Sequence, residues 1–206
     1  MLLGHHSGRD LTVRPGYFDD LYAASDDPWG LARGFYERRK LALLMAALPR
    51  ERFERAFEPG CALGLVTRQL AERCDEVLAM DVVPRAVELT RQHAADFPGV
   101  TVCEGSLPDD LPPGTFDLVV LSEVGYYVAD LDALRSAVHG LLRRDAVVVA
   151  CHWRHSAPDY PQSADVVHAA LGVGMYRLAR HVEDDFLMDV WTTVPGSVAQ
   201  REGIVD

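Results

Sequence analysis

The sequence predicts an α/β domain: a mostly parallel sheet covered by helices on both faces and finished by an antiparallel hairpin. Three observations predict it. Residues 116–122 (FDLVVLS) and 146–151 (AVVVAC) are continuous apolar runs without the alternation of a half-exposed strand, so both faces of each strand are buried, as in parallel sheets. Short apolar runs alternate with helical patterns of roughly 10–15 residues, the rhythm of β-α-β units. The last two β-prone runs, 176–182 and 186–193, are joined only by Glu183-Asp184-Asp185, a connection short enough for a hairpin.

Taken in order, residues 1–15 read as a loose arm. Residues 17–48 read as a short helix and a longer one, with Asp26-Asp27-Pro28 as the start signal between them. The second carries Leu31, Phe35, Leu41, Leu44 and Leu48 close to a helical period, and Pro49 ends it. From residue 53 the rhythm changes. Residues 56–58 form a short strand, 64–74 a helix, 76–81 a strand, 84–97 a helix and 100–104 a third strand. The run 116–122 follows, then a helix over 130–142 with Leu131, Leu134, Val138 and Leu141 on one face. The strand 146–151 and one more helix over 165–171 precede the hairpin.

Composition bounds the function. The chain has 206 residues, 49% hydrophobic and 25% charged, with a formal net charge of −11, an ordinary globular mix. Such a surface repels phosphate backbones, so neither a nucleic-acid partner nor an anionic membrane is expected, and a cationic substrate is favoured. Lys40 is the only lysine, which is set down to coding bias rather than mechanism. Cys61, Cys74, Cys103 and Cys151 lack CxxC spacing and sit in or beside apolar runs; no metal or disulfide framework is expected, and a cytoplasmic location fits. The start MLLGHHSGRD lacks a signal-peptide pattern.

Four motifs carry chemistry. Residues 57–64 (FEPGCALG) follow a strand and open a helix. Gly60 allows a sharp turn and a close backbone approach to a ligand, and Gly64 allows close helix–strand packing. The pattern differs from the G-x-G-x-x-G of dinucleotide binders: Ala62 stands where the glycine serving a pyrophosphate belongs, and Glu58 repels phosphate. Both departures favour a ligand with a cationic amino-acid portion and disfavour a dehydrogenase. Asp81 closes the run VLAMD and can accept both hydroxyls of a ribose, or cap the following helix. In CEGSL (103–107), Ser106 and Leu107 can meet the edge and face of an adenine. In LSEVGYY (121–127), Glu123 with Tyr126 and Tyr127 places a carboxylate and two rings toward a reacting group, since aromatic faces attract cations. The alternative for these tyrosines is plain packing under the next helix.

These pieces, in this order, resemble a class I S-adenosylmethionine-dependent methyltransferase over residues 50–194. YFDDLY (17–22), DPW (27–29), YERRK (36–40), FEPGCALG, LSEVGYYV and HWR (152–154) further resemble the NodS-like family, named for a nodulation N-methyltransferase whose acceptor is an amino-sugar nitrogen. The resemblance implies a three-layer Rossmann-like methyltransferase fold with a seven-stranded sheet. An N-terminal arm and helical lid would cover 1–48, an S-adenosylmethionine-binding core 49–195 and a tail 196–206. It implies that Glu58, Gly60 and Gly64 hold the methionyl part, with Cys61 beside them, and that Asp81 holds the ribose, with Val82 beside it. Ser106 and Leu107 would flank the adenine, Ser122 and Glu123 would lie near the methyl group, and Tyr17 and Trp29 would close over the cofactor. One departure stands out: Arg143-Arg144-Asp145 replaces a common Pro-Gly-Gly turn before the fifth strand, a change expected to affect only a turn.

His152, Trp153 and Tyr160 complete the candidates. His152 follows the strand AVVVAC and is either a proton acceptor near neutrality or a hydrogen-bonded structural group. Trp153 and Tyr160, with Tyr126 and Tyr127, would line the substrate side. No histidine pair has metal-ligand spacing. The expected reaction is methyl transfer to a small-molecule amine or amino sugar, with S-adenosyl-L-homocysteine as by-product and Glu123 or His152 taking the proton. O-methylation and non-catalytic cofactor binding are the alternatives. A monomer or homodimer is expected.

Overall fold

The computed structural model describes Val13 and residues 16–206; the expected arm lies almost wholly outside them. In chain order come α1 (Tyr17–Ala24), α2 (Phe35–Ala47), β1 (Phe53–Pro59), α3 (Leu65–Ala71), β2 (Cys74–Asp81), α4 (Pro84–His93), β3 (Val100–Glu104) and β4 (Phe116–Ser122). A 3₁₀ turn over Gly125–Tyr127 leads to α5 (Leu131–Gly140), β5 (Leu142–Trp153), α6 (Ala164–Leu171), β6 (Tyr176–Val182), β7 (Phe186–Thr192) and α7 (Val198–Arg201). Seven strands form one sheet in the order β3-β2-β1-β4-β5-β7-β6. The first five are parallel, and β7 runs antiparallel between β5 and β6.

The unbroken apolar strands are explained by layers on both sides. On β4 and β5, Leu118, Val120, Val147 and Val149 pack with Leu44 and Leu48 of the α2 segment and Leu70 of α3. Their neighbours Val119, Leu121, Val148 and Ala150 pack with Leu134 and Val138 of α5 and Val167 and Leu171 of α6. Successive strand residues therefore feed opposite layers. α1 joins through Tyr22, which packs with Leu63, Val83, Ala86 and Leu89. Strands β1 and β4 are neighbours, yet their helical connections leave in opposite directions along the sheet. A crevice opens at the carboxyl ends of the strands at such a point.

Several boundaries differ from expectation for local reasons. Asp27 does not start α2. Its carboxylate accepts the Leu31 and Ala32 amides at 2.7 and 3.1 Å, closing a turn, and α2 begins only after Gly34. Leu31 therefore lies outside the helix. Cys74 belongs to β2 rather than to the preceding helix. Arg143–Asp145 is not a turn: it starts β5 beside a register shift against β4. Asp145 adopts φ +64° and pairs with Arg50 at 2.7 Å and with Arg201. The tail docks through α7, whose Ser197 and Gln200 form a reciprocal N-terminal cap. Among the described residues no helix is long and apolar enough to cross a membrane.

Candidate active site

A cavity of about 1070 Å³ occupies that crevice. The loop after β1 forms its floor. Gly60 turns at φ +74°, and a Cβ there would stand 3.0 Å from Val124 Cγ2, so both backbone and space require glycine. The Gly60 and Cys61 amides donate to the Met80 carbonyl at 2.7 and 3.0 Å, tying the loop to β2. Glu58, at the strand end, lines the cavity yet is almost wholly buried. Burial pushes its carboxyl up to about 8, against a hydrogen bond from Thr67 and with help from nearby Asp81. Thr67 Oγ1 donates at 2.6 Å to Glu58 Oε2. Cys61 also lines the cavity, its thiol raised mainly by burial.

Asp81 closes β2 on the same wall. Its Oδ2 accepts the Ala62 amide at 2.9 Å and its Oδ1 the Val83 amide at 3.0 Å. Burial raises its pKa, opposed by these backbone bonds. A carboxylate has about four acceptor positions, so two remain. Val82, Ser106 and Leu107 continue the wall. Asp81 is not the N-cap of α4; Val83 holds that place, with Pro84 opening the helix.

The other end is built around Glu123, which lines the cavity at φ +57°, a conformation that costs an ordinary residue about 1–3 kcal/mol and persists only where neighbours enforce it. Three donors do so. Lys40 Nζ reaches Oε1 at 2.7 Å, while the Tyr126 hydroxyl and the Trp153 amide reach Oε2 at 2.7 and 2.8 Å. Lys40 also meets Glu37 at 3.0 Å. Burial pulls the Lys40 pKa down, but Glu123 and Glu37 outweigh it and hold the ammonium above its ordinary value. The sole lysine is thus a buried member of the site, not a trace of coding bias. Its partner lies 83 positions away, beyond any local pattern; its place in YERRK was the one available signal.

Aromatic rings close the remaining sides. Tyr126 stacks on Tyr160 with centroids 4.0 Å apart, and Tyr127 meets Tyr160 edge-on at 5.1 Å. From α1, Phe18 abuts Tyr127 at 4.9 Å and Tyr22 abuts Trp29 at 5.8 Å. Tyr36 meets Trp153 at 5.6 Å. The hydroxyls of Tyr22 and Tyr36, both on the cavity wall, are buried without a hydrogen-bond partner. Among the described residues the lining holds seven carboxyl groups against Arg38 and Lys40, and no histidine.

The cavity thus brings together Trp29, Glu58, Gly60, Cys61, Asp81, Val82, Ser106, Leu107, Ser122, Glu123, Tyr126, Tyr127, Trp153 and Tyr160. Three candidates stand elsewhere. Tyr17 is not in the lining, its hydroxyl donating to Asp159 at 2.7 Å, while Phe18, Asp19 and Tyr22 of α1 are. Gly64 lies behind the loop at φ +73°, where a Cβ would meet Thr90 of α4 at 2.9 Å; it serves helix–helix contact, not helix–strand contact. His152 is fully buried, and its Nε2 accepts the Gly125 amide at 2.9 Å. Burial, then His168, then Lys40 push its pKa well below the ordinary value, and its ring lines no part of the cavity.

The strand order, the glycine bend after β1 and the acid ending β2 define a Rossmann-like methyltransferase fold. A family model described as Nodulation protein S (NodS) matches residues 19–160. Nodulation protein S of Sinorhizobium fredii (strain NBRC 101917 / NGR234) is 37% identical over 120 residues, 58% of this chain and 56% of that protein. That of Rhizobium tropici is 36% identical over 121 residues, 58% of this chain and 51% of that protein. The chain spans about half the length of these curated relatives. The structure of N-methyltransferase NodS from Bradyrhizobium japonicum WM9 with S-adenosyl-L-homocysteine aligns at TM-score 0.76 and 24% identity, covering 85% of this chain and 97% of that one. A Pseudomonas syringae protein solved as a candidate methyltransferase aligns at TM-score 0.69 and 46% identity, covering 77% and 99%. The chain belongs to the NodS family.

Proposed function

We propose that the protein is an S-adenosylmethionine-dependent methyltransferase that methylates a nitrogen of a small amine or amino sugar. The observation that carries this reading is one cavity joining the Glu58–Gly60 bend, Asp81 and the Lys40-bound carboxylate Glu123. The NodS structure with S-adenosyl-L-homocysteine supports it through a shared fold. The residues fit the cofactor: Gly60 brings bare backbone to the cavity wall, Glu58 is a buried acid suited to an ammonium, and the Tyr22 hydroxyl lacks a partner beside Asp81. Glu58 and the loop after β1 would hold the methionyl part, Asp81 the ribose, and Ser106 and Leu107 the adenine.

Bound there, the cofactor supplies an activated methyl group on a sulfonium, so the chain's own work is positioning and electrostatics. Glu123 spends three of about four acceptor positions on fixed donors. The free position on Oε1 accepts an N–H of the incoming amine and orients its lone pair. Tyr126, Tyr127 and Trp153 wall that position and exclude water. Nitrogen is favoured over oxygen because a hydroxyl of high pKa needs a dedicated base, and among the described residues no histidine lines the cavity to supply one. Incubation with the cofactor and a panel of amines, amino sugars and phenols, with mass detection, tests the reading. A methylated amine is expected. Methylated phenols alone would overturn the nitrogen assignment, and no heat of binding for either cofactor form would overturn the whole proposal.

A further inference from the structure

Behind the acceptor end runs a line of buried polar groups through three strands and a helix. Gly125 N–H donates to His152 Nε2 of β5 at 2.9 Å. His152 Nδ1 lies 2.9 Å from His168 Nε2 of α6, and His168 Nδ1 lies 2.8 Å from Asp189 Oδ2 of β7. Arg180 of β6 grips both oxygens of Asp189 at 2.8 and 2.6 Å. His152, His168 and Asp189 are all sealed from solvent, and none of the three lines the cavity.

The chemistry of the partners fixes every proton. A backbone amide can only donate, so His152 Nε2 is the bare nitrogen and Nδ1 carries its hydrogen. That hydrogen points at His168 Nε2, which must then be bare, so His168 Nδ1 carries a hydrogen and donates to Asp189. Burial alone would raise the Asp189 carboxyl, but His168 and Arg180 hold it below its ordinary value, so the line ends on a carboxylate. Each ring nitrogen along it has one partner, and Asp189 Oδ2 accepts from both His168 and Arg180, so no direction is ambiguous. Such a fully satisfied network is rigid, whereas a half-satisfied one is costly.

What the line holds is the backbone between Glu123 and Tyr126. Gly125 is pressed against it: a Cβ there would stand 2.9 Å from His152 Nε2 and 2.5 Å from Val167 Cγ1. On one side of Gly125, Glu123 keeps its left-handed conformation; on the other, Tyr126 donates to the Glu123 carboxylate. Trp153, next to His152, donates its amide to the same carboxylate. The Cys151 carbonyl also accepts the Glu123 amide at 2.9 Å, so the end of β5 grips this segment three times, once by side chain and twice by backbone.

We infer that His152 is a positioning residue for methyl transfer: through His168, Asp189 and Arg180 it clamps Gly125 and so aims the Glu123 carboxylate at the acceptor. The role in catalysis rests on the reading given under the proposed function; the clamp itself does not. Two substitutions separate the halves of the line. In His152→Gln the amide oxygen reaches the place of Nε2 and accepts from Gly125, while in His152→Asn the amide reaches only the place of Nδ1 and Gly125 loses its acceptor. His152→Asn is expected to lower kcat about 100-fold, the scale of an ångström-sized misplacement, with cofactor Kd within about threefold of the parent. His152→Gln is expected to recover most of that loss. Equal kcat in the two variants, high or low, would overturn the inference. Nitrogen-15 NMR of the unaltered protein reads the clamp without an acceptor: His152 should show a protonated Nδ1 and a bare Nε2 coupled to the Gly125 amide. A protonated Nε2 would overturn it even if both variants failed to fold. Should NMR find the clamp while no amine is methylated, the functional reading fails and the clamp stands.

Discussion

If Glu58 is the seat of the cofactor's ammonium, binding must expel a proton. In the free protein burial lifts the Glu58 carboxyl from 4.5 to about 8, so at pH 7 about nine in ten molecules carry it neutral. A cation prefers the carboxylate, so each binding event at pH 7 releases close to one proton. Affinity for S-adenosylmethionine should therefore rise about tenfold between pH 6 and 7 and level off near 8. Above that the ligand's own α-amino group, ordinarily about 7.7–8.0, discharges and affinity falls again. Titration calorimetry in buffers of different ionisation enthalpy reads the proton directly. Glu58→Gln should flatten the profile below pH 7 and weaken binding at pH 8.

The same group makes a stability prediction of opposite sign. Its folded pKa lies above its unfolded one, so its contribution is most favourable below about 4.5 and is lost as pH rises toward 8. The span corresponds to at most about 5 kcal/mol. The ligand-free Glu58→Gln protein should accordingly gain stability over the parent at pH 8 and gain least at pH 4. A parent affinity that stays flat from pH 6 to 7, with a binding enthalpy independent of buffer, would refute the assignment of Glu58 to the ammonium.

Three further outcomes follow from the geometry. Asp81→Ala removes the acceptor of the Ala62 and Val83 amides as well as the proposed ribose contacts; calorimetry should show cofactor Kd raised at least about 30-fold, each charged hydrogen bond being worth about 1.5–3 kcal/mol, and a parent-like Kd would remove the ribose assignment. Gly60→Ala and Gly64→Ala both force a side chain into a left-handed conformation, costing about 1–2 kcal/mol in urea titrations, but only Gly60 faces the cavity, so only its variant should lose cofactor affinity beyond about tenfold. Lys40→Met leaves Glu37 and Glu123 facing each other without their cation; denaturation should show a loss of about 2–4 kcal/mol, and a double-mutant cycle with Glu123→Gln should recover part of it as coupling.

The fold was legible because its signals are local. The runs FDLVVLS and AVVVAC announce burial on both faces, and layers on each side of β4 and β5 supply it. The run 176–182 matches β6 residue for residue. Failures came where a side chain outvoted a pattern. Asp27 looked like a helix cap, yet it closes a turn one step earlier, and Gly34, at φ +93°, then opens α2. Arg143–Asp145 stands where related sequences carry a Pro-Gly-Gly turn, yet β5 already runs from Leu142, and Arg50 and Arg201 pair with Asp145.

The site divides along the same line. Glu58, Gly60 and Asp81 sit at strand ends, where position alone points a residue into the crevice, and each reaches the cavity. His152 also sits at a strand end, but strand parity decides its direction. It shares a face with Val148 and Ala150, which lie under α5 and α6, while Cys151 shares the opposite face with Val147 and Val149. Counting by twos from Val148 would have turned His152 away from the cavity, toward α6. Lys40 is the converse case: no count along the chain links it to Glu123, because α2 and the end of β4 meet only once the sheet has formed. A basic residue on the helix ahead of β1 and an acid after β4 can recognise each other only in the folded molecule, which is why the pairing of Lys40 with Glu123 cannot be read from local pattern.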